Sequence, residues 1–243
     1  MAEGKGDAFA SAGNSGALVV GATMLVKRLR GVKRVAFAPI MPKSKGFFML
    51  IDGGANVDCR PEMLLQFGVM GAAYMKSVMG VEHPRVALAN VGEEEHKGDQ
   101  LRQEALALLK ACPDIRFVGN VEAREIPFDG ADVVVADGFT GNMILKLYEG
   151  VALALMEKIK GVFTSSLKGK LAAAMVYGDL KKMKKELDYN EYGGAPIMGC
   201  SKPVFKIHGS AKASTVKSAL ALIQSYAQSG VTQEIAAAVS KKS

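Results

Sequence analysis

Val133-Val-Val-Ala136, running into Asp137-Gly-Phe-Thr-Gly-Asn142 and then into a long amphipathic stretch from Met143, is the segment whose reading decides the fold. A short β-branched apolar run reads as a buried strand. The small polar loop after it supplies turn residues and a helix start. The same unit recurs along the chain. Asp7-Ala-Phe-Ala10 leads into Ser11-Ala-Gly-Asn-Ser-Gly16 and a helix from Ala17 to about Arg30. Phe47-Phe-Met-Leu-Ile51 leads into Asp52-Gly-Gly-Ala-Asn56 and a helix from Pro61 to Ser77, with proline suited to the first turn. Val86-Ala-Leu-Ala89 leads into Asn90 to Gly98 and a helix through Leu109. Ile115-Arg-Phe-Val118 runs into Gly119-Asn-Val-Glu122, and Pro203-Val-Phe-Lys-Ile207 into His208-Gly-Ser210 and a helix from Ala213 to about Gln228. Lys33 to Ala38 is one more strand, followed by a turn at Pro39-Ile-Met-Pro42.

Strands alternating with helices predict an α/β fold, a mostly parallel open sheet with helices on both faces. Ligands of such sheets bind beyond the carboxyl ends of the strands, so these loops should converge. Five of the six asparagines, Asn14, Asn56, Asn90, Asn120 and Asn142, fall in them beside glycines. Each is open to a turn or capping role. Together they suit a site that holds carbonyl or phosphate oxygens with neutral dipoles. Gly13-Asn-Ser-Gly16 and Gly138-Phe-Thr-Gly-Asn142 precede helices, where backbone N–H groups can face an anion.

Other chemistries lack their residues. The cysteines, Cys59, Cys112 and Cys200, form no C-x-x-C pair and suit a reducing compartment. The three histidines are scattered, so no metal is expected. Walker A, G-x-G-x-x-G and G-x-S-x-G patterns are all missing, and no cofactor is expected. The uncharged run Ala8–Val26 holds too many glycine and polar positions for a membrane span. It does not read as a signal peptide either, because the basic cluster Lys27, Arg28, Arg30 lies on the wrong side.

The charge is uneven. The chain carries +7, and Lys158 to Lys185, with eight lysines and one acid, carries all of it. A neutral body with one basic appendage does not suit nucleic-acid binding, and Phe163 and Tyr177 are the appendage's few aromatics. Val176, Leu180, Met183 and Leu187 form a helical stripe with Lys181, Lys182, Lys184 and Lys185 opposite. The chain therefore divides into an α/β catalytic domain, 1–155 with 190–243, and a helical protrusion, 156–189. The protrusion is expected to be an amphipathic hairpin for pairing with a second copy and for contact with an anionic membrane surface.

A site of amides, loops and one loop lysine, Lys97, without an activated nucleophile suits direct acyl transfer to phosphate. Phosphate is itself a nucleophile and a thiolate leaves readily, so positioning and oxyanion stabilisation suffice.

Ser11-Ala-Gly-Asn-Ser-Gly-Ala-Leu18, Asp52-Gly-Gly-Ala-Asn56, Asn90-Val-Gly-Glu-Glu94 with Lys97-Gly98, Gly119-Asn-Val-Glu122, Asp137-Gly-Phe-Thr-Gly-Asn142 with Leu145-Lys146, Tyr192-Gly-Gly-Ala-Pro196 and His208-Gly-Ser210 resemble the bacterial phosphate acyltransferases of the PlsX family. The motifs stand in the family's order over essentially the whole chain. The family's opening Asp-Ala-Met-Gly-Gly-Asp strand has no counterpart, so about the first quarter of a typical member is expected to be missing. The resemblance implies a fold like phosphotransacetylases and isopropylmalate dehydrogenases. It implies transfer of a fatty acyl group from acyl carrier protein to inorganic phosphate, for phosphatidic acid synthesis. Implied partners are a second copy, the membrane, and the membrane glycerol-3-phosphate acyltransferase that uses the product, with a cytoplasmic, peripherally membrane-associated location.

Lys97, Asn142 and Asp137 are then the expected catalytic residues. Lys97 serves the phosphate or oxyanion, Asn142 donates to the same oxygen, and Asp137 orients Lys97 or another donor. Asn14, Ser15, Asn56, Asn120, Gly138, Thr140 and His208 are expected to bind substrate. The alternatives are a short-chain phosphotransacylase using coenzyme A and a non-catalytic remnant serving as a membrane-surface scaffold.

Overall fold

The structure is a computed structural model and describes residues 1, 3–186 and 193–240. Its strands are β1 (Phe9–Ser11), β2 (Ala36–Phe37), β3 (Ile40–Pro42), β4 (Phe47–Ile51), β5 (Arg85–Asn90), β6 (Arg116–Glu122), β7 (Val133–Val135), β8 (Ala195–Met198) and β9 (Val204–Lys206). Its helices are α1 (Ser15–Gly21), α2 (Pro61–Ser77), α3 (Gln100–Lys110), α4 (Gly138–Thr164), α5 (Leu167–Met175), α6 (Tyr177–Glu186), α7 (Ala213–Gln228) and α8 (Val231–Ser240).

The decisive stretch folds as read, as strand β7, a cap at Asp137 and helix α4. β7 is central in a five-stranded sheet of order β3-β4-β7-β5-β6. There β4, β7, β5 and β6 run parallel and β3 is an antiparallel edge. Side chains alternate across this sheet with the period of two that a strand imposes. Met49, Ile51, Val133 and Val135 pack with Leu64, Phe67 and Met70 of α2, while Phe48, Leu50 and Val134 pack with Leu145 of α4. Helices thus cover both faces. Gly71 lets α2 lie against the sheet, because a Cβ there would sit 2.6 Å from Val133 Cγ1.

The remaining strands make a second sheet, β1-β9-β8-β2, in which only β1 and β9 are parallel. The parallel reading holds for the larger sheet, and the smaller one is mixed. Pro39–Pro42 contributes a strand rather than a turn. Ile40 and Met41 are both buried, and Lys43 N–H donates to Gly46 O to close a hairpin with β4. The Gly119–Glu122 stretch is the second half of β6, continued past a register shift opposite Val86 and Ala87. The first helix stops short of Arg30. It becomes π-helical over Ala22–Val26 and ends at Lys27, whose φ is +71°.

The last buried residue of α4 is Leu145, and α5 and α6 bury none. The expected boundary between 155 and 156 falls inside α4, which crosses it as one helix. The expected stripe is interrupted at Val176, which joins α5 to α6, and Leu187 lies outside the described residues. No helix among the described residues is long and apolar enough to cross a membrane.

Candidate active site

The organising group is a buried carboxylate. Asp52 follows β4, is wholly buried, and accepts from the N–H groups of Phe37 (2.9 Å), Gly54 (3.1 Å), Ala55 (3.0 Å) and Asn56 (2.6 Å). Asn56 Nδ2 adds a bond to Asp52 at 2.8 Å and another to Val35 O at 2.7 Å. Burial pushes the Asp52 carboxyl above its ordinary range, and the donors around it pull the other way. Both amide hydrogens of Asn56 are spent inside this knot, so it shapes the loop rather than meeting substrate. Sequence reading had placed Asn56 in the binding set.

Against this knot sits the start of α4. Gly138 N–H donates to Asn56 O at 2.6 Å. A Cβ on Gly141 would lie 1.9 Å from Asp52 O. Only glycine permits that approach of helix to loop. Asp137 caps the helix, accepting from Phe139 N (3.1 Å) and Thr140 N (3.0 Å) through Oδ1 and from Thr140 Oγ1 (2.8 Å) through Oδ2. The N–H groups at this terminus are therefore satisfied by protein. The expectation that Gly138–Asn142 offers free N–H groups to an anion is corrected.

The ion partner of Asp137 is Arg102 of α3, not Lys97. Arg102 also donates to Thr140 Oγ1 (2.9 Å) and to Asp99 (2.7 Å). Asp137, Thr140 and Arg102 form a clamp that fixes α4. Arg102 was missed in sequence because it stands in a helix, remote from every loop motif.

On one side of α4 a cleft of about 260 Å³ opens between the two sheets. Ser15, Asn142, Lys146, Lys206 and His208 line it, with Gly53-Gly54 at its wall. Three predicted residues, Ser15, Asn142 and His208, thus meet there. Lys146 follows Asn142 by one helical turn and pairs with Glu149 at 2.9 Å. Lys206 Nζ donates to Ile207 O (2.6 Å) and Ala12 O (3.3 Å). Its pKa is lowered by burial and then by the nearby Lys146 charge. His208 Nδ1 lies 2.7 Å from Ser210 Oγ and 3.2 Å from Ser210 N.

The other asparagines hold loops. Asn14 caps α1, accepting from Ala17 N at 3.0 Å. Asn90 Nδ2 donates to Lys97 O (3.1 Å), and Asn120 Nδ2 donates to Glu94 O (3.0 Å). These two brace the segment that carries Lys97. Lys97 itself is exposed on the far side of the α4 start and does not line the cleft. The expected meeting of Lys97, Asp137, Asn142 and His208 in one hollow is corrected in this respect. Tyr192, in the Tyr-Gly-Gly-Ala-Pro motif, lies outside the described residues.

Cys59 and Cys200 are not poised for attack. Burial, reinforced by the charge of Asp52, pushes Cys59 up to about 12, and burial does the same to Cys200. Neither is a thiolate near neutrality.

A family profile described as "Fatty acid synthesis protein" matches residues 1–234. The chain belongs to this family. It is 48% identical over 218 residues to a phosphate acyltransferase of Clostridium acetobutylicum, covering 90% of this chain and 66% of the relative. It is 45% identical over 243 residues to that of Bacillus subtilis, covering 100% of this chain and 72% of the relative. The chain thus spans about two thirds of the length of these relatives. Among solved structures, a phosphotransacetylase from Streptococcus pyogenes superposes with a TM-score of 0.63 at 18% identity. That match covers 94% of this chain and 64% of the neighbour. A branched-chain phosphotransacylase from Enterococcus faecalis gives 0.57 at 15%, covering 94% and 76%. These neighbours share the α/β fold.

Proposed function

We propose that this chain transfers a fatty acyl group from acyl-[acyl carrier protein] to inorganic phosphate, giving acyl phosphate for phosphatidic acid synthesis. The observation that carries the reading is a cleft where Lys146, Lys206, Asn142 and His208 meet, with Glu149 paired to Lys146, in a member of this family. A phosphate oxygen bonds to the thioester carbonyl carbon and the C–S bond breaks. The proton of hydrogen phosphate ends on the departing thiol, so no outside reagent is consumed. Lys146, Lys206 and His208 hold the phosphate. Asn142 donates to the tetrahedral oxyanion.

Acyl phosphate release, trapped with hydroxylamine, tests the reading. Turnover with carrier-linked thioester above that with the coenzyme A thioester supports it. The reverse order favours a short-chain phosphotransacylase, as the names of the structural neighbours would suggest. No product from either donor leaves a non-catalytic scaffold.

The remaining partners belong to the same proposal. The protein works at the cytoplasmic face of the membrane, where a glycerol-3-phosphate acyltransferase takes the product. Lys181, Lys182, Lys184 and Lys185 draw it to anionic lipid, each worth on the order of 1 kcal/mol near the surface. Vesicle flotation should weaken as salt rises. A second copy covers the outer face of α4, where Leu147, Val151 and Leu155 are 68%, 57% and 49% exposed.

A further inference from the structure

We propose that Glu149 sets the anion specificity of the cleft: its carboxylate accepts the hydrogen bond of a P–OH group, so hydrogen phosphate is taken and oxyanions without a proton are refused. This rests on the reading that the acyl acceptor is inorganic phosphate. Asn142, Lys146 and Glu149 recur on α4 at spacings of four and three and all line the cleft, so one helical face is turned into it. Among the described residues that line the cleft, Glu149 is the only acid.

A carboxylate in a hollow that binds an anion needs a reason. Its bond to Lys146 supplies little of one. That pair closes at 2.9 Å through Oε2, and the Lys146 side chain is 60% exposed, where an ion pair adds little stability. The Glu149 side chain is only 16% exposed, so the carboxylate gives up hydration to stand there. Its other oxygen, Oε1, accepts from no group among the described residues. An ionised carboxyl can only accept. It repels an oxyanion that has no proton to offer and bonds to one that has. Hydrogen phosphate carries a P–OH at neutral pH, whereas sulfate, of the same shape, carries none. Lysine and amide donors serve either anion alike, so discrimination falls to the acceptor. A site that is built to pair with a hydroxyl rejects the analogue lacking it, because its own polar group is then left unpaired. The Lys146 bond offsets part of the Glu149 charge, which lets the pair admit a dianion.

The test measures binding of inorganic phosphate and of sulfate to the full chain by calorimetry. Slightly alkaline pH gives the two anions the same charge. The unaltered protein should bind phosphate at least about tenfold more tightly than sulfate. Glu149→Gln keeps the shape and supplies a donor, and Glu149→Ala removes the group. Each should bring the two affinities together, with phosphate weakened and sulfate tightened. Lys146→Gln should weaken both anions and leave the preference for phosphate in place. Circular dichroism checks the fold, and the alanine variant carries the same reading if the glutamine variant does not fold. The unaltered protein is a test without either variant, because equal binding of the two anions overturns the proposal. A parallel loss of both anions in the Glu149 variants overturns it too, since Glu149 would then only position Lys146. So does a preference that survives both variants. The two readings fail separately. A preference that depends on Glu149, with no acyl phosphate formed from either thioester, sinks the enzymatic reading alone. Acyl phosphate formation with a preference indifferent to Glu149 sinks only this inference.

Discussion

The two halves of α4 show how one helix is written for two kinds of neighbour. Its first two turns are held by backbone. Asp137 caps it, Arg102 clamps the cap, and Gly138 and Gly141 bring it against the Asp52 loop with no side chain between. Its far half carries apolar residues on an inner face toward α6 and on an outer face that stays exposed. The near half is therefore intolerant of any added atom. The far half is tolerant of substitution but sensitive to charge and to what covers it. Close backbone packing is concentrated where Asn142 enters the cleft, and exposed apolar and basic side chains lie on the far half.

The contrast can be broken first at the chemistry. Asn142→Ala should lower kcat by about 10²–10³-fold in a folded protein, the usual cost of one oxyanion donor, while Lys97→Ala, outside the cleft, should keep near-normal turnover. A comparable loss in Lys97→Ala would bring the loop lysine into the reaction beside Lys146 and Lys206. The second test is steric. Gly141→Ala puts a Cβ into Asp52 O and should cost about 3 kcal/mol or more in denaturant unfolding. Gly150→Ala, where a Cβ meets nothing within 4 Å, should gain stability by about 0.5–1 kcal/mol. Equal effects at the two glycines would erase the distinction between the halves.

The third test concerns cover. Val151→Asp with Leu155→Asp should yield monomer on sedimentation without loss of the α/β fold by circular dichroism. A dimer that survives places the contact elsewhere. The smallest effect is electrostatic and belongs to the base of the larger sheet. Asp132 is partly buried, which alone would raise its pKa, but Arg85 and Lys43 hold it at about 2. A carboxyl depressed below its unfolded value near 3.8 stabilises the fold above that value. The contribution should fade as pH falls from about 4 to about 2, and Asp132→Asn should flatten that part of the unfolding profile.

Much of this was legible in the linear chain because its signals are local. A β-branched run, a cap residue and a Pro61 helix start act over a few positions, and β7, α2 and α7 fall where those signals put them. Strand pairing is not local. Ile40-Met41-Pro42 reads as a turn because of its prolines, yet it is a strand because Phe47–Met49 lies across from it. The five asparagines look alike in sequence. Four of them brace loops and one lines the cleft, a division that depends on which backbone groups each finds within reach.

The sequence by itself determined the α/β class, the family, the basic appendage and three residues of the cleft, Ser15, Asn142 and His208, because composition, period and ordered motifs are properties of the chain alone. Tertiary structure alone decided that there are two sheets and that Arg102 rather than Lys97 answers Asp137. It also decided that Lys146 and Lys206 share a cleft with Asn142 and His208. Those pairings join residues dozens of positions apart. Hydrogen bonds and ion pairs act over a few ångströms, so only the closed fold can choose their partners.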